Sequence, residues 1–527
     1  MTERIDADYV IAGGGSAGCV LAARLSENPS CKVVLIEAGP KGGGLLVDMP
    51  AGTFALMANP RYDWLYQTEA DPSIASRALL WSGGRMLGGS SAINGMVYIR
   101  GQVSDYDDWV KAGATGWSFR EILPYFLRAE HYREGASQWH GATGPLQVSY
   151  GNASHPLTES VMETFAALGL PKRGDYCDGD ITGIYRNLTT TGDGKRSSTA
   201  TAYLDPARTR GNLKILTGCK VDHVLIEGRG ARGVRLLRDG QPIDVTARRE
   251  VIVSSGTIGS PAILMRSGIG PASELSALGI AVIADLPVGR NLQEHSGASV
   301  SKLVDMPTYN SPAGVFTLGR NLLRWLLTRR GPMASAAVQV MGAAKSTPDL
   351  ADPDISVSFL PLAIGFPKGK PALHPKPGIT LAANVIRPWS RGEIRLRSSD
   401  ASEPPIVDHR LLGDERDLEV AVAAARLLTR AFATAPLAGH VIGNNYHNPE
   451  PVTDEEWRTI VRTTTTMGYH PVGTCAIGSV VDPSLHVRGI AGLRVADASV
   501  MPNIISGNTN AATIAIAEKA AELIRSA

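Results

Sequence analysis

The opening run of the chain is one that few folds accommodate. Asp8-Tyr9-Val10-Ile11-Ala12-Gly13-Gly14-Gly15-Ser16-Ala17-Gly18 is a short apolar, strand-like segment entering Gly13-x-Gly15-x-x-Gly18, and a helical stretch follows through Arg24. Lys32-Val33-Val34-Leu35-Ile36-Glu37-Ala38-Gly39 then reads as a second strand ending on a carboxylate. Strand, glycine turn, helix and a strand with an acid about 20 residues further on make the βαβ unit that binds a dinucleotide. Gly13 permits the tight turn, and Gly15 lets a pyrophosphate approach the backbone at the positive end of the helix. Gly18 lets helix and strand pack closely. Glu37 is placed to accept a hydrogen bond from a ribose hydroxyl, and its charge opposes a 2′-phosphate. NAD and FAD both satisfy this unit.

A chain of 527 residues exceeds one ordinary core, so two domains or large insertions in one sheet are expected. Lys+Arg of 52 against Asp+Glu of 50 gives no electrostatic reason to expect nucleic acid or an anionic surface as partner, which leaves small-molecule chemistry. Cys19, Cys31, Cys177, Cys219 and Cys475 are odd in number and lack zinc spacing, so they read as reduced thiols. Residues 1 to 7 do not read as a signal peptide, and no apolar run reaches membrane length. A cytoplasmic protein is the expectation, and a homo-oligomer is compatible with it.

Gly39 to Pro60 reads as a loop. Gly83 to Val97 is a second glycine-dense stretch, either a cradle for a phosphate or planar ring or a plain loop before a helix. Asp105 to Glu130 is helical in pattern and Leu157 to Leu168 is an amphipathic helix. Leu213 to Thr217 and Asp222 to Leu237 are strand-like, with a hairpin at Glu227 to Gly230. Val251 to Gly256 is a buried strand, and the start of the helix Thr257 to Arg266 is positioned to face a cofactor. Ile355 to Leu360, Ile379 to Ile386 and Gly392 to Leu396, with a helix Asp414 to Ala433, suggest the core of an antiparallel second domain. Leu318 to Arg330 mixes leucines with Arg320, Arg324, Arg329 and Arg330. The expectation there is a solvated basic face over a buried leucine face, with a membrane-surface or partner helix as the alternative. Leu493 to Ser499 resembles another strand of the first sheet, and a final helix runs to about Ile524. His470, in a loop fixed by Pro471 and Gly473, is either a general base or a buried structural histidine.

Several of these motifs together resemble the glucose-methanol-choline (GMC) family of FAD-dependent oxidoreductases over essentially the whole chain. They are the fingerprint with Glu37, Gly84-Arg85-Met86-Leu87-Gly88-Gly89-Ser90-Ser91-Ala92-Ile93-Asn94-Gly95, Ser255 to Gly270, His470-Pro471-x-Gly473-Thr474, and Asp497-Ala498-Ser499 to Asn508-Thr509-Asn510. The resemblance implies an α/β fold, with a Rossmann-like FAD-binding domain and an α+β substrate domain on an antiparallel sheet. The expected division is 1–155, 198–297 and 465–527 for FAD, and 156–197 and 298–464 for substrate. It implies His470 as catalytic base and Asn508 as its partner; many relatives carry His in place of Asn508, and choline-type members carry Asn. Ser16, Ala17, Arg85 and Ser90 are implied near the pyrophosphate, Glu37 near the ribose and Val221 near the adenine. Asn94, Gly95, Met96, Val97, Ala498, Asn508, Thr509, Asn510 and Ala511 are implied near the isoalloxazine, with Ala38, Leu87 and Gly89 in the same contact set. Some relatives attach FAD through a His in the second glycine stretch; the corresponding residue here is Ile93, so FAD is expected to be non-covalent. The implied activity is oxidation of a primary alcohol, aromatic or aliphatic, to the aldehyde, with dioxygen or a quinone-like acceptor. Sugar- or choline-type dehydrogenases and a non-redox hydroxynitrile lyase are the alternatives. Ile355 to Pro361 is expected to line the substrate cavity.

Overall fold

The chain folds around two seven-stranded sheets, described here from a computed structural model for residues 5–310, 314–365, 372–445 and 451–526. In the first sheet Ile5–Ala12 lies parallel between Val33–Glu37 and Gln241–Val253, and Leu213–Thr217 extends the edge beside Val33–Glu37. Gln241–Val253 serves two further partners along its other edge because it is long. Its last residues run parallel to Leu493–Val495, while its first half pairs antiparallel with Gly230–Arg238, the second arm of a hairpin begun by Lys220–Glu227. Parallel strands covered on both faces must be apolar throughout, and Val10, Ile11, Leu35, Ile36, Val251 and Ile252 are fully buried. The helix Ser16–Leu25 and the final helix Asn510–Arg525 pack together on this sheet, so the two ends of the chain complete one layer.

The second sheet is antiparallel throughout: Val441–Asn444, Ser296–Val304, Gly378–Val385, Ile355–Leu360, Val340–Ala344 and Gly183–Arg186 in spatial order. Thr466–Met467 joins it beside Ser296 and Gly297. The helix Glu415–Phe432 covers one face with Leu418, Ala421, Val422, Ala425, Leu428 and Phe432, and Asp414 caps its start by accepting the Arg416 N–H at 3.0 Å.

Four local expectations change. Asp105 to Glu130 forms two helices, Val103–Lys111 and Phe119–Ala129, because Gly113 and Gly116 between them take left-handed backbone angles. Within Gly39 to Pro60 lie two single-turn helices, Leu45–Asp48 and Thr53–Leu56. Glu393–Arg395, expected in the second sheet, instead pairs with Ile406–Asp408 as a separate ribbon. The leucine face of Val315–Thr328 is not buried: among its described side chains only Trp325 is fully enclosed, while Leu323 and Leu327 are 56% and 76% exposed.

Candidate active site

At the end of the first strand the backbone turns through Gly13 with φ of 114°, and a side chain there would meet the Ser254 carbonyl oxygen at 2.5 Å. A Cβ on Gly18 would lie 1.8 Å from the Gly13 carbonyl oxygen, so the helix can approach the strand only with glycine at that position. This contact starts the helix at Ser16 with Gly15 as its N-cap and no capping side chain. The backbone N–H groups of the first turn are therefore left for an anion, which the helix dipole also favours. Glu37, buried at the end of the neighbouring strand, accepts the N–H groups of Gly14 at 2.9 Å and Gly39 at 2.7 Å. Burial raises its carboxyl above the ordinary value against the pull of those donors.

A second helix N-terminus faces the same cavity. Thr509 precedes Asn510–Arg525 without a side-chain cap, and Ser16 Oγ donates to Asn510 Oδ1 at 2.8 Å, tying the two helix starts together. The cavity holds about 640 Å³, within the ~300–1,000 Å³ range of small-molecule and cofactor sites. It runs from Val221 past Gly13, Gly15, Ser16, Ala17, Glu37 and Ala38 to Gly89, Ser90, Asn94, Gly95, Met96 and Val97, and takes in Ala498, Asn508, Thr509, Asn510 and His470. Gly256 and Thr257, at the start of the third helix, also line it. Four expected contacts lie behind this wall. Gly18 sits in the helix–strand contact, Leu87 and Ala511 are core residues, and the Arg85 guanidinium stands 5.2 Å above the Trp64 ring with its Nε buried and unpartnered. Ile355 to Pro361 does not line the cavity either. Ile355, Val357 and Phe359 are spent inside the second sheet, and Met57, Val338 and Tyr469 supply apolar wall instead.

His470 is held by a loop clipped to the start of the second sheet. Gly468 N–H donates to the His295 carbonyl at 2.8 Å, Gln293 and Val472 exchange backbone bonds, and the His470 N–H donates to the Glu294 carboxylate at 2.8 Å. Tyr469 takes a left-handed φ of 64°, a strained angle for a bulky residue, costing ~1–3 kcal/mol and aiming the next side chain. The hydrogen bonds then fix the tautomer of His470. His295 Nε2 lies 3.1 Å from the Ile505 carbonyl oxygen, which only accepts, so Nε2 carries the proton. Burial lowers the His295 pKa to about 4, leaving its Nδ1 bare to accept from His470 Nδ1 at 3.1 Å. His470 Nε2 is therefore unprotonated, and Asn508 Nδ2 faces it at 2.7 Å. Burial holds the His470 pKa well below that of an ordinary imidazole.

Asn508 is placed from the other side. Ser506, two residues earlier, donates its N–H and its hydroxyl to the buried Asp105 carboxyl at 2.7 Å each, anchoring this loop to the helix Val103–Lys111. Glu294 and His295 had no motif to mark them. Their one signal was an acid and a histidine side by side immediately before a strand, and that pattern has meaning only once the strand lies beside the His470 loop.

GMC oxidoreductase family models match residues 7–297 and 388–517. Among relatives, the human mitochondrial choline dehydrogenase is 39% identical over 99% of this chain and 90% of its own, and the alcohol dehydrogenase [acceptor] of Pseudomonas putida 38% over 98% and 95%. Among solved structures, pyridoxine 4-oxidase from Mesorbium loti superposes with a TM-score of 0.88 at 32% identity, covering 98% of each chain. A fungal aryl-alcohol oxidase superposes with a TM-score of 0.82 at 25% identity, covering 99% of each. The cavity, with two uncapped helix starts, a carboxyl group at the second strand end and Gly89 and Gly95 on its wall, fits the diphosphate, ribose and ring of FAD. The chain therefore belongs to the GMC oxidoreductases, FAD-dependent flavoproteins that act on CH–OH groups as dehydrogenases or oxidases.

Proposed function

We propose that the protein oxidises a neutral primary alcohol, aromatic or aliphatic, to its aldehyde, with His470 as general base and Asn508 as hydrogen-bond donor to the reacting oxygen. The observation that carries this reading is the unprotonated His470 Nε2 beside the Asn508 amide, 2.7 Å apart on the wall of the cofactor cavity. Bound FAD supplies the two-electron acceptor for the carbinol C–H. The chain's own part is proton and charge management. His470 Nε2 removes the hydroxyl proton, and Asn508 Nδ2 stabilises the oxygen as it gains negative charge. Glu294 holds the His470 backbone, and His295 Nδ1 keeps the opposite ring nitrogen as the protonated one. The fingerprint turn and Glu37 would hold the diphosphate and ribose, and the 89–97 stretch with Ala498 and Asn510 the ring. Ile93 on the cavity wall has no nucleophilic atom to bond to a ring, which supports non-covalent FAD. The same reading assigns 1–155, 198–297 and 465–527 to the FAD domain and the remainder to the substrate domain; a separate sheet for each supports this division, except that Ser296, Gly297 and Thr466–Met467 pair in the second sheet.

The carboxylates favour a neutral substrate over a quaternary ammonium. Among the described residues lining the cavity, Glu37 is engaged by Gly14 and Gly39, Asp497 by Gly256, Ser260 and Ser499, and Glu403 by Ser398. None of them lies free beside His470 to pair with a fixed cation. The test is anaerobic titration of the yellow holoenzyme with benzylic, aliphatic, sugar and choline alcohols, followed by air. Bleaching is expected with the first two classes. Rapid return of colour with peroxide marks dioxygen as the acceptor, and slow return marks a quinone-like one. A protein bleached by none of the four defeats the oxidation reading and favours a lyase.

Since burial depresses the His470 pKa, the base is already unprotonated at neutral pH and is lost only as pH falls. The acid limb of the pH profile of kcat/KM is thus expected below ~6.5, with a plateau above it. A limb at or above that value would mean that another group controls the rate.

A further inference from the structure

The helix Val315–Thr328 has an apolar face turned to solvent and attached charges without counter-charges. On a 3.6-residue repeat Phe316, Arg320, Leu323 and Leu327 share one side and Trp325 faces the opposite way. Trp325 is fully buried and donates Nε1–H to the Gly194 carbonyl at 2.8 Å, so this single side chain anchors the helix by its inner side. The outer side is bare: Phe316 is 96% exposed, and Leu323 and Leu327 are more than half exposed. Arg320 and Arg324 flank that stripe and are exposed, with Arg329 and Arg330 at the C-terminal end. From Met306 to Pro348 the sequence contains no Asp or Glu, and none of these four guanidinium groups forms an ion pair with a described residue. A solvated basic helix would keep its leucines inward; this one turns Leu323 and Leu327 outward together with Arg320, Arg324 and Arg330, while Arg329 packs inward over the Trp325 ring at 4.5 Å.

We propose that Val315–Thr328 docks the protein on an anionic lipid surface, lying in the headgroup layer with Phe316, Leu323 and Leu327 in the acyl boundary and Arg320, Arg324 and Arg330 on lipid phosphates. Apolar side chains flanked by unpaired cations on one face are what such a surface takes up, and a neutral apolar partner would leave the guanidinium groups uncompensated. No described helix is long and apolar enough to cross a membrane, so the helix lies on the surface and does not span it. The attachment is close to the cofactor cavity in the chain. The helix leads through the turn Pro332–Ala334, which packs on the turn Pro50–Gly52, and the two segments end at the cavity-lining residues Val338 and Met57. This inference does not depend on which alcohol is oxidised.

The experiment is sedimentation of the holoenzyme with vesicles of phosphatidylcholine alone or with added phosphatidylglycerol, followed by flavin absorbance in the pellet. At least tenfold more protein is expected to sediment with the anionic vesicles, and the excess should fall with salt. L323D/L327D should abolish sedimentation, and R320Q/R324Q should remove the preference for phosphatidylglycerol. Both variants should keep wild-type flavin content and thermal midpoint, since the altered side chains make no core contact. Equal recovery with both vesicles, or unchanged binding by L323D/L327D, overturns the proposal. So does light scattering that shows a dimer which L323D/L327D converts to monomer, because the face would then be an interface between copies of the chain.

Discussion

His470→Ala is expected to yield a folded, yellow protein whose bleaching by substrate is slowed by ~10²–10⁴-fold. The expected size follows from what the substitution removes. The unprotonated Nε2 goes, and no other described group with a free basic nitrogen adjoins Asn508. His295 cannot replace it, because its Nε2 is committed to the Ile505 carbonyl and its pKa of about 4 makes it a poor proton acceptor. Flavin content is the internal control: the fingerprint turn, Glu37 and the helix starts are untouched, so the absorbance per protein should match wild type. Stopped-flow bleaching under anaerobic conditions measures the step. A slowing below tenfold would remove His470 from the role of base.

Gly18→Ala should have an equally large effect by another route. The added Cβ would stand 1.8 Å from the Gly13 carbonyl oxygen and 2.9 Å from Ser254 Oγ, and the nearer neighbour is backbone that cannot rotate away. Relief requires lifting the helix Ser16–Leu25 off the first strand, at an overpacking cost of ~1–3 kcal/mol or more. The same shift misplaces the N–H groups of the first helical turn. We expect protein purified with little or no flavin and a lowered thermal midpoint, read by the ratio of visible to ultraviolet absorbance and by calorimetry. Gly211→Ala is the matched control, with no atom within 4 Å of the new Cβ and an ordinary backbone angle, and it should be neutral. Full flavin content in Gly18→Ala would show that the helix tolerates displacement.

Much of the candidate nucleotide site was legible because its determinants are local. Gly13, Gly15, Gly18 and Glu37 lie within one βαβ unit, where turn, helix start and strand end follow from residue type and spacing. The arrangement around His470 is different in kind. Its loop, Glu294-His295 and Asn508 come from three distant stretches, and the sequence offered His470 as base or structural residue with equal ease. The bonds from Ile505 through His295 to His470 decide which ring nitrogen is bare, and no spacing rule encodes a bond between residues 175 apart.

The Leu318 to Arg330 stretch and the Ile355 to Pro361 strand show the same limit from the side of packing. Periodicity reports that an element has an apolar face, but it does not report what, if anything, covers that face. Ile355, Val357 and Phe359 read as candidate cavity lining and are consumed by neighbouring strands; Leu323 and Leu327 read as core and are left in solvent. By itself the sequence determined the dinucleotide unit, the strands of its sheet and the family, since short-range steric and hydrogen-bonding rules act along the chain. Only the tertiary structure decided the protonation of His470, the wall of the cavity and the bare face of Val315–Thr328, because each depends on which distant surfaces meet and which find no partner.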